Sequence, residues 1–107
     1  MENKLFERVD GYIDGLFAPS DAVLNGAVTR TRAAGMPEIQ VSAGQGKFLY
    51  LMARLVGARR ILELGTLGGY STIWLARALP EKGKLVTMEF SEKHAAVATQ
   101  VFPFLLN

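Results

Sequence analysis

Apolar residues along the first third of the chain recur at helical spacing. Leu5, Phe6, Val9, Tyr12, Ile13, Leu16 and Phe17 fall at steps of one, three and four, which places them on one face of a helix that Ala18-Pro19 ends. Ser20 is expected to cap a second helix carrying Leu24, Ala27, Val28 and Thr31, closed by Gly35 and Pro37. After a loop over Glu38 to Val41, Ser42 is expected to cap a third. Its Phe48, Leu49, Leu51, Met52, Leu55 and Val56 make a broad apolar face, predicted to be buried, with Gly57 beyond its end.

The pattern then changes. Arg60 to Leu64 is a short apolar run that leads through Gly65-Thr66-Leu67-Gly68-Gly69 into a helix over Tyr70 to Leu79, the sign of a strand running through a glycine turn. Pro80 and Gly83 punctuate the return, Lys84 to Glu89 reads as a second strand, and Ser91 caps a helix to about Phe102, before Pro103. Strand, helix, strand, helix implies a parallel βαβ unit with a right-handed crossover. The fold class is therefore α/β, divided into an N-terminal helical segment over residues 1–40 and a partial α/β domain over 41–107. The two strands carry apolar residues toward both faces, so helices must cover both sides and further strands must pair their edges.

Composition narrows the classes of function. The chain has 107 residues, half of them apolar, and 12 basic against 10 acidic side chains, which fits one globular domain and gives no nucleic-acid signal. It has no cysteine, so neither a disulfide framework nor a thiolate metal site is available, and the cytoplasm is the expected location. No apolar run has the length of a membrane span, so no membrane partner is expected. Met36, Met52, Met88 and Trp74 read as packing residues, Trp74 against the sheet, and His94 as a helix-surface residue.

The candidate chemistry sits in the glycine turn. Backbone N–H groups at the start of a helix face the crevice and bind a negative group, and Gly65, Gly68 and Gly69 supply the positive φ and close approach such a turn requires. A bulky side chain at Gly65 would fill the space where a ligand lies against the backbone. Glu89, at the end of the next strand, is placed to accept hydrogen bonds from two ribose hydroxyls; taken alone it also fits a solvated carboxylate before a helix. The dinucleotide fingerprint begun at Gly65 would need glycines at Leu67 and Tyr70, and both are absent. Adenosylmethionine carries no phosphate and needs neither. Ser71 is then a donor for its carboxylate, or equally a hydroxyl satisfying a helix-start N–H. Glu63 is a candidate partner for its amino group, because an unpaired carboxylate on a central strand is costly.

The run Ile61-Leu62-Glu63-Leu64-Gly65-Thr66-Leu67-Gly68-Gly69-Tyr70-Ser71-Thr72-Ile73-Trp74-Leu75-Ala76 resembles motif I of the caffeoyl-CoA and catechol O-methyltransferase group. The resemblance extends upstream through Val41-Ser42-Ala43-Gly44-Gln45-Gly46-Lys47-Phe48-Leu49. Downstream it runs through Leu85 to Glu89 and the helix start at Glu92 to Ala95. It implies a Rossmann-like methyltransferase fold that binds S-adenosylmethionine and releases S-adenosylhomocysteine. By it, Val41 and Ser42 lie over the methionine part of the cofactor, Glu63 through Ser71, with Gly65, Thr66, Gly69 and Tyr70, form the cradle, Glu89 holds the ribose, and Phe90 lies near the adenine.

The resemblance covers only the front of that family. Its longer members bring a divalent metal and the residues that orient the acceptor hydroxyl on later strands, so no catalytic residue and no metal ligand is assigned here. Val101 to Asn107 departs from the family's polar helix and reads as an altered terminus. The expected function is methyl transfer, in a full-length parent, to a hydroxyl of a small, catechol-like molecule. Two other readings stand beside it: a catalytically inactive interaction module acting as a homodimer or larger assembly, and a nicotinamide-dependent oxidoreductase fragment, disfavoured by the glycine spacing.

Overall fold

A computed structural model describes residues 2–105. Three helices come first: α1 (Glu2–Phe17), α2 (Ala22–Ala33) and α3 (Ala43–Leu55). Asp21, not Ser20, caps α2. Its extended backbone lets the carboxylate accept from the N–H groups of Val23 and Leu24, at 3.0 and 3.1 Å, while the Ser20 hydroxyl turns to the Asn25 side chain. At α3 the Ser42 hydroxyl accepts from Gln45 N–H while the Gln45 side chain accepts from Ser42 N–H, a reciprocal box.

Next come β1 (Arg60–Leu64), α4 (Tyr70–Ala78), β2 (Lys84–Met88), α5 (Glu92–Thr99) and a 3-10 turn at Phe102–Leu105. The strands pair in parallel, from Arg60 opposite Lys84 to Leu64 opposite Met88, with α4 as the crossover. The second strand stops one residue before the expected Glu89, and the last helix stops at Thr99, where Pro103 forbids a continuous α-helix and the chain tightens into the 3-10 turn. Of the apolar stretch Phe102 to Leu106, Leu106 lies outside the described residues.

Alternation sets the two faces of the sheet apart. Ile61, Glu63, Leu85 and Thr87 are half-buried; Leu62, Leu64, Val86 and Met88 are exposed, Leu64 to 75%. The core lies on the helical side. It joins Ala18, Leu24 and Ala27 to Tyr70, Ile73 and Trp74 of α4 and to Val101, with Val23, Val28, Val41, Ala43 and Tyr50 around it. Asp21 adds a brace: the carboxylate that caps α2 also takes both terminal nitrogens of Arg77 on α4, at 2.7 and 3.1 Å.

Several packing expectations change. Trp74 lies against Gly46 and meets Tyr50 edge-on at 6.4 Å between ring centres, so α3 supplies contacts to it that the sequence did not point to. The apolar face of α3 is exposed at Phe48, Leu51, Met52, Leu55 and Val56, and α1 exposes its whole apolar stripe. Periodicity reports that a face seeks cover, not what covers it. Of the three methionines expected in the core, only Met36 is buried. Among the described residues no helix is long and apolar enough to cross a membrane.

Candidate functional site

The glycine turn between β1 and α4 is built from three different constraints. Gly65 continues the ladder, donating to the Met88 carbonyl at 2.8 Å, then turns with φ of +93°, and nothing lies within 4 Å of where its Cβ would be. Gly68 is fixed instead by close approach, since a Cβ there would run into the Thr31 hydroxyl of α2. Gly69, with φ of +89°, is the N-cap of α4 and offers no side-chain cap. The first N–H groups of α4 therefore stay available to a negative group, at the positive end of the helix dipole.

Leu67, between these glycines, takes a φ of +51°, which costs an L-residue roughly 1–2 kcal/mol. Glu89 offsets that cost. Its Oε1 accepts from Leu67 N–H at 2.8 Å and its Oε2 from Ser91 N–H at 3.0 Å, so one carboxylate fixes both the turn and the loop after β2. The Ser91 N–H, then the Leu67 N–H, hold the Glu89 carboxyl below the ordinary glutamate range; burial opposes them, and His94 adds a smaller downward pull. His94 is half-buried with Nδ1 3.9 Å from Glu89 Oε2, which places it beside the site and not on an open helix surface. Each carboxylate oxygen has two lone pairs. Each oxygen of Glu89 thus retains capacity for a further donor.

Glu63 collects hydroxyls. Ser71 donates to its Oε2 at 2.6 Å, while Thr72 and Thr87 donate to its Oε1 at 2.5 and 2.8 Å. The arrangement follows from register, because Thr87 is the direct partner of Glu63 across the sheet and both face α4. Thr66 is buried and stands 2.5 Å from the Thr87 hydroxyl.

Four expected residues remain, Val41, Ser42, Tyr70 and Phe90. Val41 packs on the edge of the core and Ser42 spends its hydroxyl on the α3 cap. Tyr70 buries its ring in the core. Phe90 is fully exposed next to Glu89. Thr72, Thr87 and Leu67 were not singled out by the sequence; aligning the strands so that Glu63 faces Thr87 is the signal that could have found one of them. A cavity of about 810 Å³ between α4, β2 and Phe102 includes Thr72 and Thr87 but neither Gly65 nor Glu89, so it is not the cradle. Among the described residues no group of three or more His, Asp or Glu side chains could hold a metal.

A profile described as O-methyltransferase matches residues 17–103. The chain is 57% identical over 98 residues to a catechol O-methyltransferase of Niastella koreensis, covering 92% of this chain and 44% of that protein. It is 51% identical over 90 residues to a catechol O-methyltransferase of Mycobacterium tuberculosis, covering 84% of this chain and 41% of that one. Its backbone is similar to the O-methyltransferase TomG of Streptomyces achromogenes, solved with S-adenosylmethionine: the TM-score is 0.91 at 47% identity, over 98% of this chain and 47% of that one. A Bacillus cereus O-methyltransferase solved with S-adenosylhomocysteine aligns with a TM-score of 0.88 at 48% identity, over 94% of this chain and 46% of that chain. The chain thus spans less than half the length of these relatives.

Proposed function

The chain belongs to the O-methyltransferase family, and on that premise we propose that residues 41–107 are the S-adenosylmethionine-binding part of an O-methyltransferase, with residues 1–40 as its helical packing. The observation that carries the reading is the open space against the Gly65 backbone, flanked by two organised carboxylates, Glu63 and Glu89. A nucleoside lying against that backbone would occupy the place a Cβ would fill. Glu89 offers its two remaining acceptor sites to the ribose hydroxyls, Glu63 offers Oε2 to the ammonium, and the uncapped start of α4 offers N–H groups to the carboxylate. Ser71 reaches that carboxylate by turning its hydroxyl away from Glu63. Val41 and Ser42 flank the methionine part, with Thr66, Gly69 and Tyr70 contributing backbone to the cradle and Phe90 exposed for the adenine.

When bound, such a cofactor supplies an electrophilic methyl on a sulfonium. The residues of this chain bind and orient; activation of an acceptor hydroxyl by a divalent metal, and the pocket for a small, catechol-like acceptor, are assigned to segments found in longer relatives. A cytoplasmic setting is supported by the absence of cysteine. Thermal shift with S-adenosylhomocysteine, NAD and buffer tests the assignment: stabilisation by S-adenosylhomocysteine alone is expected, and silence from every ligand refutes it.

Assembly is a second reading, favoured by the exposed apolar side of the sheet at Leu62, Leu64, Val86 and Met88. A homodimer or larger assembly in which a second copy covers that face would remove it from water. Light scattering across a dilution series should give a mass above that of one chain, and a compact monomer that unfolds cooperatively at micromolar concentration would refute it.

A further inference from the structure

The hydroxyls around Glu63 form a chain whose direction can be fixed. A carboxylate only accepts, so the Thr87 proton, 2.8 Å from Oε1, lies on the bond to Glu63. The Thr87 oxygen must then accept from Thr66, 2.5 Å away, and the order is Thr66 to Thr87 to Glu63. Thr72, fully buried on α4, donates to the same Oε1, and Ser71 donates to Oε2. Three of the four acceptor positions of the carboxylate are thereby occupied among the described residues. The fourth belongs to Oε2, which gains a second free position if Ser71 turns to the cofactor's carboxylate.

We propose that Thr87, with Thr66 behind it and Thr72 beside it, is a positioning residue that locks the Glu63 carboxylate so that Oε2 presents its remaining acceptor position to the cofactor's ammonium group. A valine would suit a half-buried strand position equally well by shape. The hydroxyl therefore acts on orientation more than on packing. Because the direct donors come from β2 and α4, with the turn's Thr66 behind Thr87, the carboxylate is held from two elements at once, and a chain of hydrogen bonds strengthens its members. This inference rests on the assignment of Glu63 to the ammonium.

Titration of the whole chain with two ligands separates positioning from support of the fold. S-adenosylhomocysteine carries the amino-acid part; 5′-deoxy-5′-methylthioadenosine shares its adenine, ribose and thioether but lacks it. Thr87→Val should weaken S-adenosylhomocysteine roughly tenfold, the scale of one hydrogen bond to a charged group, while methylthioadenosine stays within about twofold. Thr87→Ser should restore wild-type affinity, and Thr72→Val should repeat the selective loss. Unchanged affinity for S-adenosylhomocysteine in Thr87→Val overturns the inference, as does equal loss for both ligands, which marks a merely loosened fold. A wild-type chain that binds methylthioadenosine no more weakly than S-adenosylhomocysteine instead overturns the ammonium role of Glu63. Binding of neither overturns the cofactor assignment itself.

Discussion

Gly68→Ala adds one methyl group where the Thr31 hydroxyl already lies. Thr31 is 3% exposed and its hydroxyl donates to the Ala27 carbonyl at 2.8 Å, so it has no free volume to swing into without breaking that bond. The Ala27 carbonyl oxygen is itself 3.6 Å from the added carbon. Either the glycine turn lifts from α2 or the hydrogen bond is lost. Overpacking of this kind costs about 1–3 kcal/mol, and losing the bond adds on the order of 1 kcal/mol. For a domain of this size the unfolding midpoint, read by circular dichroism, should fall by on the order of 10 °C. Thr31→Ala clears the hydroxyl, so the double variant should recover much of the loss, with a coupling of about 1–2 kcal/mol in a double-mutant cycle. Effects that add to within about 0.5 kcal/mol would refute the contact as the cause.

Glu89→Gln should weaken S-adenosylhomocysteine and methylthioadenosine alike, by roughly tenfold or more, since both carry the ribose; calorimetric affinities that match wild type would remove Glu89 from that role. Glu89 and Asp21 both titrate below their ordinary values of 4.5 and 3.8 in the folded chain, Asp21 chiefly through the Arg77 hydrogen bond. The unfolded chain then binds more protons, so their stabilisation is complete above those ordinary values and is lost as pH falls through the lower folded ones. Melting between pH 7 and 3 should be flat at first and then decline, with a shallower decline in Glu89→Gln; a midpoint that rises on acidification contradicts this. The 107-residue chain is expected to transfer no radiolabelled methyl to catechol with magnesium, and transfer that survives repurification and vanishes in Gly65→Trp would show that the acceptor machinery is present after all.

The turn and the strands were legible because their signals are local. Glycines at Gly65 and Gly69 mark positive φ, and a strand ending in Glu89 marks a carboxylate beside the turn. Gly68 was read as part of the same conformational pattern, yet its cause is a side chain on α2 that no local window contains. The Glu63 cluster was half legible: an acid on a strand demanded a partner, but Thr72 and Thr87 became its partners only through crossover geometry and register. The cap of α2 was misplaced by one residue because Ser20 and Asp21 are both good caps, and Asp21 has the further tie to Arg77. Burial of α3 was overestimated because an apolar stripe looks the same in sequence whether or not a neighbour covers it.

The contact of Trp74 with Gly46 gives the protein a built-in optical reporter. Trp74 is the sole tryptophan, the residue is 6% exposed and its Nε1–H has no hydrogen-bond partner among the described residues. Its emission should therefore be blue-shifted, and the edge-on ring of Tyr50 is close enough to feed it excitation energy. Because Gly46 lies in the first turn of α3, just after the Ser42 cap, any tilt of that helix against the helix following the glycine turn alters the indole's surroundings. Red-shifted light from this one ring would thus signal separation of α3 from α4, without any label being introduced.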